Sequence, residues 1–247
     1  MKYIYPFFYT FLYNRKGLEG WAYFFEFYVL LLMFVLLFMQ NSFDIVYFLV
    51  SITSVMAIYE LGYIENNTQA IKKEKNPSIR HTEKELLFLE ENYHRIAFFR
   101  YLITFFLILG ISFYTNVIGL IVGLIAVRIS FYLYNEVFRQ GMINRIIFLI
   151  LRFLRYYVPI SFFGEPAFIL AGFIGLINFI NNFAWYRRTK FYLPRFFGTK
   201  LFDAIIYFGI SILLYSIQEI GLSYVFLYLS IIKLILLIIK LRKLKYE

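Results

Sequence analysis

Long apolar runs, broken by short polar punctuation, dominate this chain. Runs of this length read as membrane-crossing helices, because a bilayer core takes about 20 apolar residues. The pattern predicts eight of them, over residues 21–39, 43–64, 98–114, 117–136, 146–160, 167–185, 201–217 and 223–240. Connections alternate between long charged loops and short ones, 40–42, 115–116, 161–166 and 218–222, that carry no Lys or Arg. The expected fold class is all-α: a polytopic integral membrane protein with about eight transmembrane helices.

Composition agrees. Of 247 residues, 62% are hydrophobic and 16% charged, below the usual quarter charged of a soluble domain. Residues 1–247 are read as a single membrane domain with two cytoplasmic excursions. One is the loop at 65–97, which contains an amphipathic stretch (Glu83, Glu85, Glu90 and Glu91 among Leu86, Leu87 and Leu89) suited to a cap helix. The other is the basic loop at 185–200. The net charge of +10 invites a nucleic-acid partner, but its distribution argues for none. All of the 25 lysines and arginines except Arg100, Arg128, Arg152, Arg155 and Lys233 lie on the long loops and chain ends. By the positive-inside rule that side, with both termini, is cytoplasmic. Residues 1–13 lack a small-residue cleavage site, so no signal peptide is expected. The excess of Phe, Tyr, Ile, Asn and Lys suits an AT-rich bacterial genome, hence a multi-pass protein of the bacterial inner (plasma) membrane. With no cysteine, disulfides and thiolate chemistry are excluded. His81 and His94, the only histidines, do not make a His-rich metal centre.

Ionisable groups inside the hydrocarbon are costly and face partners or wet cavities. Arg145, Arg152 and Arg155 stand at i, i+7 and i+10, one face of a helix, running roughly 15 Å inward at 1.5 Å per residue. Arg128 sits at a similar depth on the preceding span. Glu26, Glu60 and Lys233 complete the set, and Asn178, Asn181 and Asn182 either line the same cavity or tie helices together. One reading pairs these residues off. The other lines a cytoplasm-open cavity with arginines for an anionic headgroup, because the guanidinium fork matches phosphate oxygens. Asp44 and Asp203 stand at helix starts, where a carboxylate meets the positive dipole end. Asp203 is also a candidate for a second phosphate site.

After the second span the chain reads Glu65-Asn66-Asn67, then Ala70, Glu74 and Pro77-Ser-Ile-Arg80. This resembles, in altered form, the first signature of the UbiA superfamily of intramembrane prenyltransferases, an Asn followed by three spaced aspartates and a closing Pro-x-x-Arg. Asn66 matches the Asn and Glu74 the third aspartate, while Asn67 and Ala70 replace the first two. The loop around Arg187, Arg188, Lys190, Pro194 and Arg195 looks like the basic version found in the branch that transfers phosphoribosyl groups to polyprenyl phosphate. Tyr132, Tyr134, Asn135, Arg139 and Arg145 are similar to that branch's Tyr- and basic-rich loop. The resemblance covers roughly residues 15–220.

It implies a UbiA-like helical bundle and a transferase joining a polyprenyl phosphate or diphosphate to a small polar, sugar-phosphate-like co-substrate at the cytoplasmic leaflet. On that basis Glu65, Asn66, Asn67 and Glu74 would hold Mg²⁺, since a hard cation takes oxygen ligands against a diphosphate. Glu74 and Arg80 would be catalytic. Arg80, Arg139, Arg145, Arg187, Arg188 and Lys190 would bind phosphate, and Arg128, Arg152 and Arg155 the lipid headgroup. Two alternatives stay open: a non-enzymatic lipid-phosphate or anion carrier, and an inactive UbiA-like scaffold subunit.

Overall fold

The computed structural model describes residues 2–7, 9–10, 18–73, 81–139, 141–187 and 199–246. The chain is helical throughout most of these residues. Helix α1 (Leu18–Tyr23) runs through a π-helical turn, Phe24–Val29, into α2 (Leu30–Phe38). Next come α3 (Phe43–Thr68), α4 (Glu83–Glu91), α5 (Tyr93–Ser112) and α6 (Ile118–Tyr132), which ends in a π turn, Leu133–Val137. Helix α7 (Gly141–Tyr157) tightens into a 3-10 segment, Val158–Phe163, before α8 (Glu165–Arg187), α9 (Lys200–Ser216) and α10 (Ile220–Tyr246).

Five stretches among the described residues are long and apolar enough to cross a membrane: Phe43–Lys72, Tyr93–Ser112, Ile118–Val137, Gly141–Phe163 and Ile220–Ile239. The chain is thus a multi-pass membrane protein, but the expected eight spans are corrected to five. Each shortfall has a local cause. In the first expected span the apolar helix covers only Phe24–Phe38, beginning with the π turn that contains Glu26. The described apolar part of α8 is Glu165–Asn181. Helix α9 has 17 residues, about 26 Å at 1.5 Å per residue, short of a core about 30 Å thick. The arginine-bearing span, short by sequence, is retained because the 3-10 segment lengthens α7 to Phe163.

Side chains set the helix ends. Asn41 Oδ1 accepts from the Phe43 and Asp44 amides, while Asp44 Oδ2 accepts from Gln40 N at 2.8 Å, closing the α2–α3 turn. Asn116 Oδ1 accepts from Ile118 N at 2.9 Å and starts α6. Thr82 and Glu85 form a capping box that starts α4 as the amphipathic pattern predicts. That pattern ends at Asn92, and α5 begins at Tyr93, five residues before the expected span, which carries Arg100 into the bundle. Gly164, at φ +66°, makes the reversal into α8.

Two cores pack side by side. One joins α2, the first half of α3, α8, α9 and α10 through residues such as Phe34, Leu170, Leu222 and Phe226. The other joins the N-terminal segment, the second half of α3, α5, α6 and α7 through Tyr9, Leu61, Ile96, Val127 and Leu151. Helices α3 and α7 contribute to both, so charged groups on these two helices stand where the cores meet.

Candidate functional site

Four carboxylates inside the bundle meet four cations. Glu60 and Arg100 are completely buried and joined at 2.8 Å. Glu60 also accepts from Thr10 N at 2.7 Å, and Arg100 donates to the carbonyls of Tyr3, Ala57 and Tyr5. This pair ties the N-terminal segment into the bundle, and nothing in the linear pattern announced it. Glu65 receives both arms of Arg128, at 2.6 and 2.5 Å, and the hydroxyl of Tyr93. Glu26 holds Lys233 at 2.9 Å and Lys200 at 3.4 Å. Asp203 holds Lys233 at 3.4 Å and accepts from Asn181 at 2.6 Å.

Arg155 is different. The buried stripe of α7 is Ile147, Leu151 and Arg155, at i, i+4 and i+8, so the guanidinium occupies a position where an amphipathic helix puts an apolar residue. It is 1% exposed. Its Cζ lies 4.3 Å from the Phe27 ring centre and 4.4 Å from that of Tyr23, with Tyr59 and Tyr156 at 5.5 and 5.6 Å. The rings come from α1 with its π turn, from α3 and from α7, so the cage forms only when three elements meet. Among the described residues no carboxylate pairs with Arg155, and its Nε and Nη1 donate to nothing. One turn earlier, Arg152 lies 4.9 Å from the Phe148 ring, its buried Nε likewise without a partner. Ring faces attract a cation, but they leave N–H donors in want of acceptors.

Comparison with family models, curated proteins and solved structures returned no match for this chain. Its chemistry is therefore read from its own residues.

The structure divides the predicted headgroup set. Arg152 and Arg155 share a face and an environment, whereas Arg128 is taken by Glu65. The predicted metal set fares differently. Glu65 is clasped by Arg128 and Tyr93, and Asn67 donates to the Tyr9 hydroxyl at 2.5 Å, which is also 2.9 Å from His81 Nε2. Asn66 is half-buried beside them. No group of three or more His, Asp or Glu side chains converges among the described residues. Glu65 accepts from a guanidinium, so a cation at this carboxylate would compete with Arg128. Glu74, Arg80, Arg188 and Lys190 lie outside the described residues, as does the side chain of Arg187. Arg139 and Arg145 are half-buried at the α6–α7 junction, where Arg139 donates to the Asn135 carbonyl at 3.5 Å. Asp203, offered as a second phosphate site, is part of the lysine network.

Proposed function

We propose that this membrane protein is an intramembrane transferase of the UbiA type. It takes the phosphate or diphosphate of a polyprenyl lipid against Arg152 and Arg155 and joins that lipid to a small polar, sugar-phosphate-like co-substrate. The observation that carries the reading is the charge balance. Among the described residues Glu26, Glu60, Glu65 and Asp203 are matched by Lys200, Lys233, Arg100 and Arg128, and Arg152 and Arg155 are left over. Two unneutralised guanidinium groups inside an apolar bundle fit a phosphate monoester or diphosphate, whose oxygens accept the forked N–H donors. The co-substrate would approach over the basic 185–200 loop on the cytoplasmic side.

The chemistry assigned to these residues is positioning and electrostatic. Arg155 orients the lipid phosphate and Arg152 neutralises its second charge, while the aromatic cage excludes water and strengthens both contacts. The closed Glu65–Arg128 pair favours a second reading, a lipid-phosphate binder without turnover, because it occupies the carboxylate that the resemblance assigns to metal binding.

Purified protein in nanodiscs is titrated with a polyprenyl phosphate and with the matching free alcohol, then supplied with a sugar-diphosphate donor. The reading expects binding that requires the phosphate, falls at least about tenfold in Arg155→Met, and leads to turnover. Binding of the alcohol as tight as that of the phosphate refutes it. Phosphate-dependent binding with no turnover under any donor selects the second reading.

A further inference from the structure

A cavity of about 650 Å³ lies between the Phe43 end of α3, the first half of α6 and the junction of α7 with its 3-10 segment. It is at the opposite end of α3 from Glu65. Gly119, Gly123 and Ala126 of α6 make one wall, and Val122 stands exposed at its rim. Across from them are Tyr47 and Phe162, whose ring centres are 4.6 Å apart. A cleft of this volume, apolar with few polar groups, has the dimensions of a small-ligand site.

The polar group that matters is the Tyr47 hydroxyl. Tyr47 lines the cavity and is 6% exposed, and its hydroxyl makes no hydrogen bond among the described residues, so its donor is available to a molecule that enters the cavity. Tyr47 stands four residues into α3, about 6 Å from the helix start at 1.5 Å per residue. A tyrosine near the end of a membrane-crossing helix suits the interface between headgroups and hydrocarbon, where Tyr is enriched.

A second helix does not fit here. Three turns of helix 10 Å across occupy on the order of 1,200 Å³, nearly twice the cavity. The Gly119/Gly123 face is also half used within the chain, since a Cβ on Gly123 would come within 2.7 Å of Val158. A single hydrocarbon chain suits both the volume and the mostly apolar lining.

We propose that this cavity binds one acyl chain of an ester-linked membrane glycerolipid, whose ester carbonyl accepts a hydrogen bond from the Tyr47 hydroxyl. The site is separate from the Arg155 cage and stands whether or not the transferase reading does.

The test is native mass spectrometry of the protein released from nanodiscs of ester-linked or ether-linked phosphatidylcholine of equal chain length. A Cβ at position 119 meets nothing within 4 Å, so Gly119→Leu grows into the cavity without disturbing the core, and leucine is the better helix former. Wild-type protein retains one ester lipid through delipidation and holds the ether analogue about three- to tenfold more weakly, the worth of one hydrogen bond. Tyr47→Phe removes that ester–ether difference, and Gly119→Leu loses both lipids. Equal retention of ester and ether lipids by the wild type overturns the proposal, as does retention unmoved by Gly119→Leu. A lipid-free wild-type dimer that Gly119→Leu breaks also overturns it, in favour of a second copy of the chain on this face.

Discussion

Arg100 and Arg155 are the same residue type with nearly the same burial, and replacing each by methionine is expected to move stability in opposite directions. Arg100 donates to Glu60 at 2.8 Å and to three backbone carbonyls. Arg100→Met strands Glu60 as a buried charge and frees the N-terminal segment, a loss of about 3–5 kcal/mol. Arg155 has two buried nitrogens without acceptors, each costing about 1–3 kcal/mol. Against this stand the two nearest rings, at 4.3 and 4.4 Å, worth about 1–2 kcal/mol each when desolvated. Methionine keeps most of the apolar volume, so Arg155→Met is expected to be neutral or stabilising by up to about 2 kcal/mol. The assay is thermal unfolding in one detergent, in which the two variants should separate by several degrees on opposite sides of the wild type. Polyprenyl phosphate at about 100 times its wild-type Kd should then add roughly 2.7 kcal/mol to the wild type and no more than about 1.4 kcal/mol to Arg155→Met, whose site is at least about tenfold weaker. If Arg155→Met falls as far as Arg100→Met, the guanidinium is a structural element and the anion-site reasoning fails.

Two further substitutions probe the bundle itself. A Cβ on Gly62 would run into the Phe131 ring, which is packed edge-on against Tyr59, so Gly62→Ala is expected to cost about 1–3 kcal/mol by overpacking. A denaturation midpoint equal to the wild type's would show that α3 and α6 part easily. Lys233→Met leaves Glu26 with Lys200 alone and Asp203 with Asn181 alone, a cost of about 3–5 kcal/mol. Adding Glu26→Gln should recover part of that loss, and no recovery in the double variant would mean that Lys233 acts through packing rather than charge.

Hydropathy alone located the membrane character and the five long spans, because each run of apolar residues there coincides with an unbroken helix. It overcounted where the apolar helix is too short, as over Phe24–Phe38 and in α9. The i, i+7, i+10 spacing placed Arg145, Arg152 and Arg155 on one face of α7, since helical periodicity is local. Partner choice is not local. Glu65 and Arg128 are 63 positions apart and Glu60 and Arg100 are 40 apart, so no window of sequence reveals either pair. The cage tyrosines were hidden for another reason: in a chain that is 23% aromatic, no single ring stands out until α1, α3 and α7 bring four together. Tyr47 was invisible in the same way.

The buried charges fall into two kinds, and the cost of charge in hydrocarbon explains the division. An ion inside a bundle is tolerated when its partner and remaining hydrogen bonds travel with it. Glu60–Arg100, Glu65–Arg128 and the Glu26–Lys233–Asp203 network meet that condition, and each joins elements that the apolar cores alone would leave free to slide. Their charges are paired within the chain, so they add fixity. Arg155, with Arg152 behind it, fails the condition. Aromatic faces make such a charge bearable without neutralising it; on the proposed function, an anion from outside the chain completes it. A site that gains most when occupied is what selective binding requires. The same logic applies on a smaller scale to the Tyr47 hydroxyl, a neutral donor whose partner must come from the bilayer. On both proposals, a donor without a partner among the described residues sets the chemistry of what binds there.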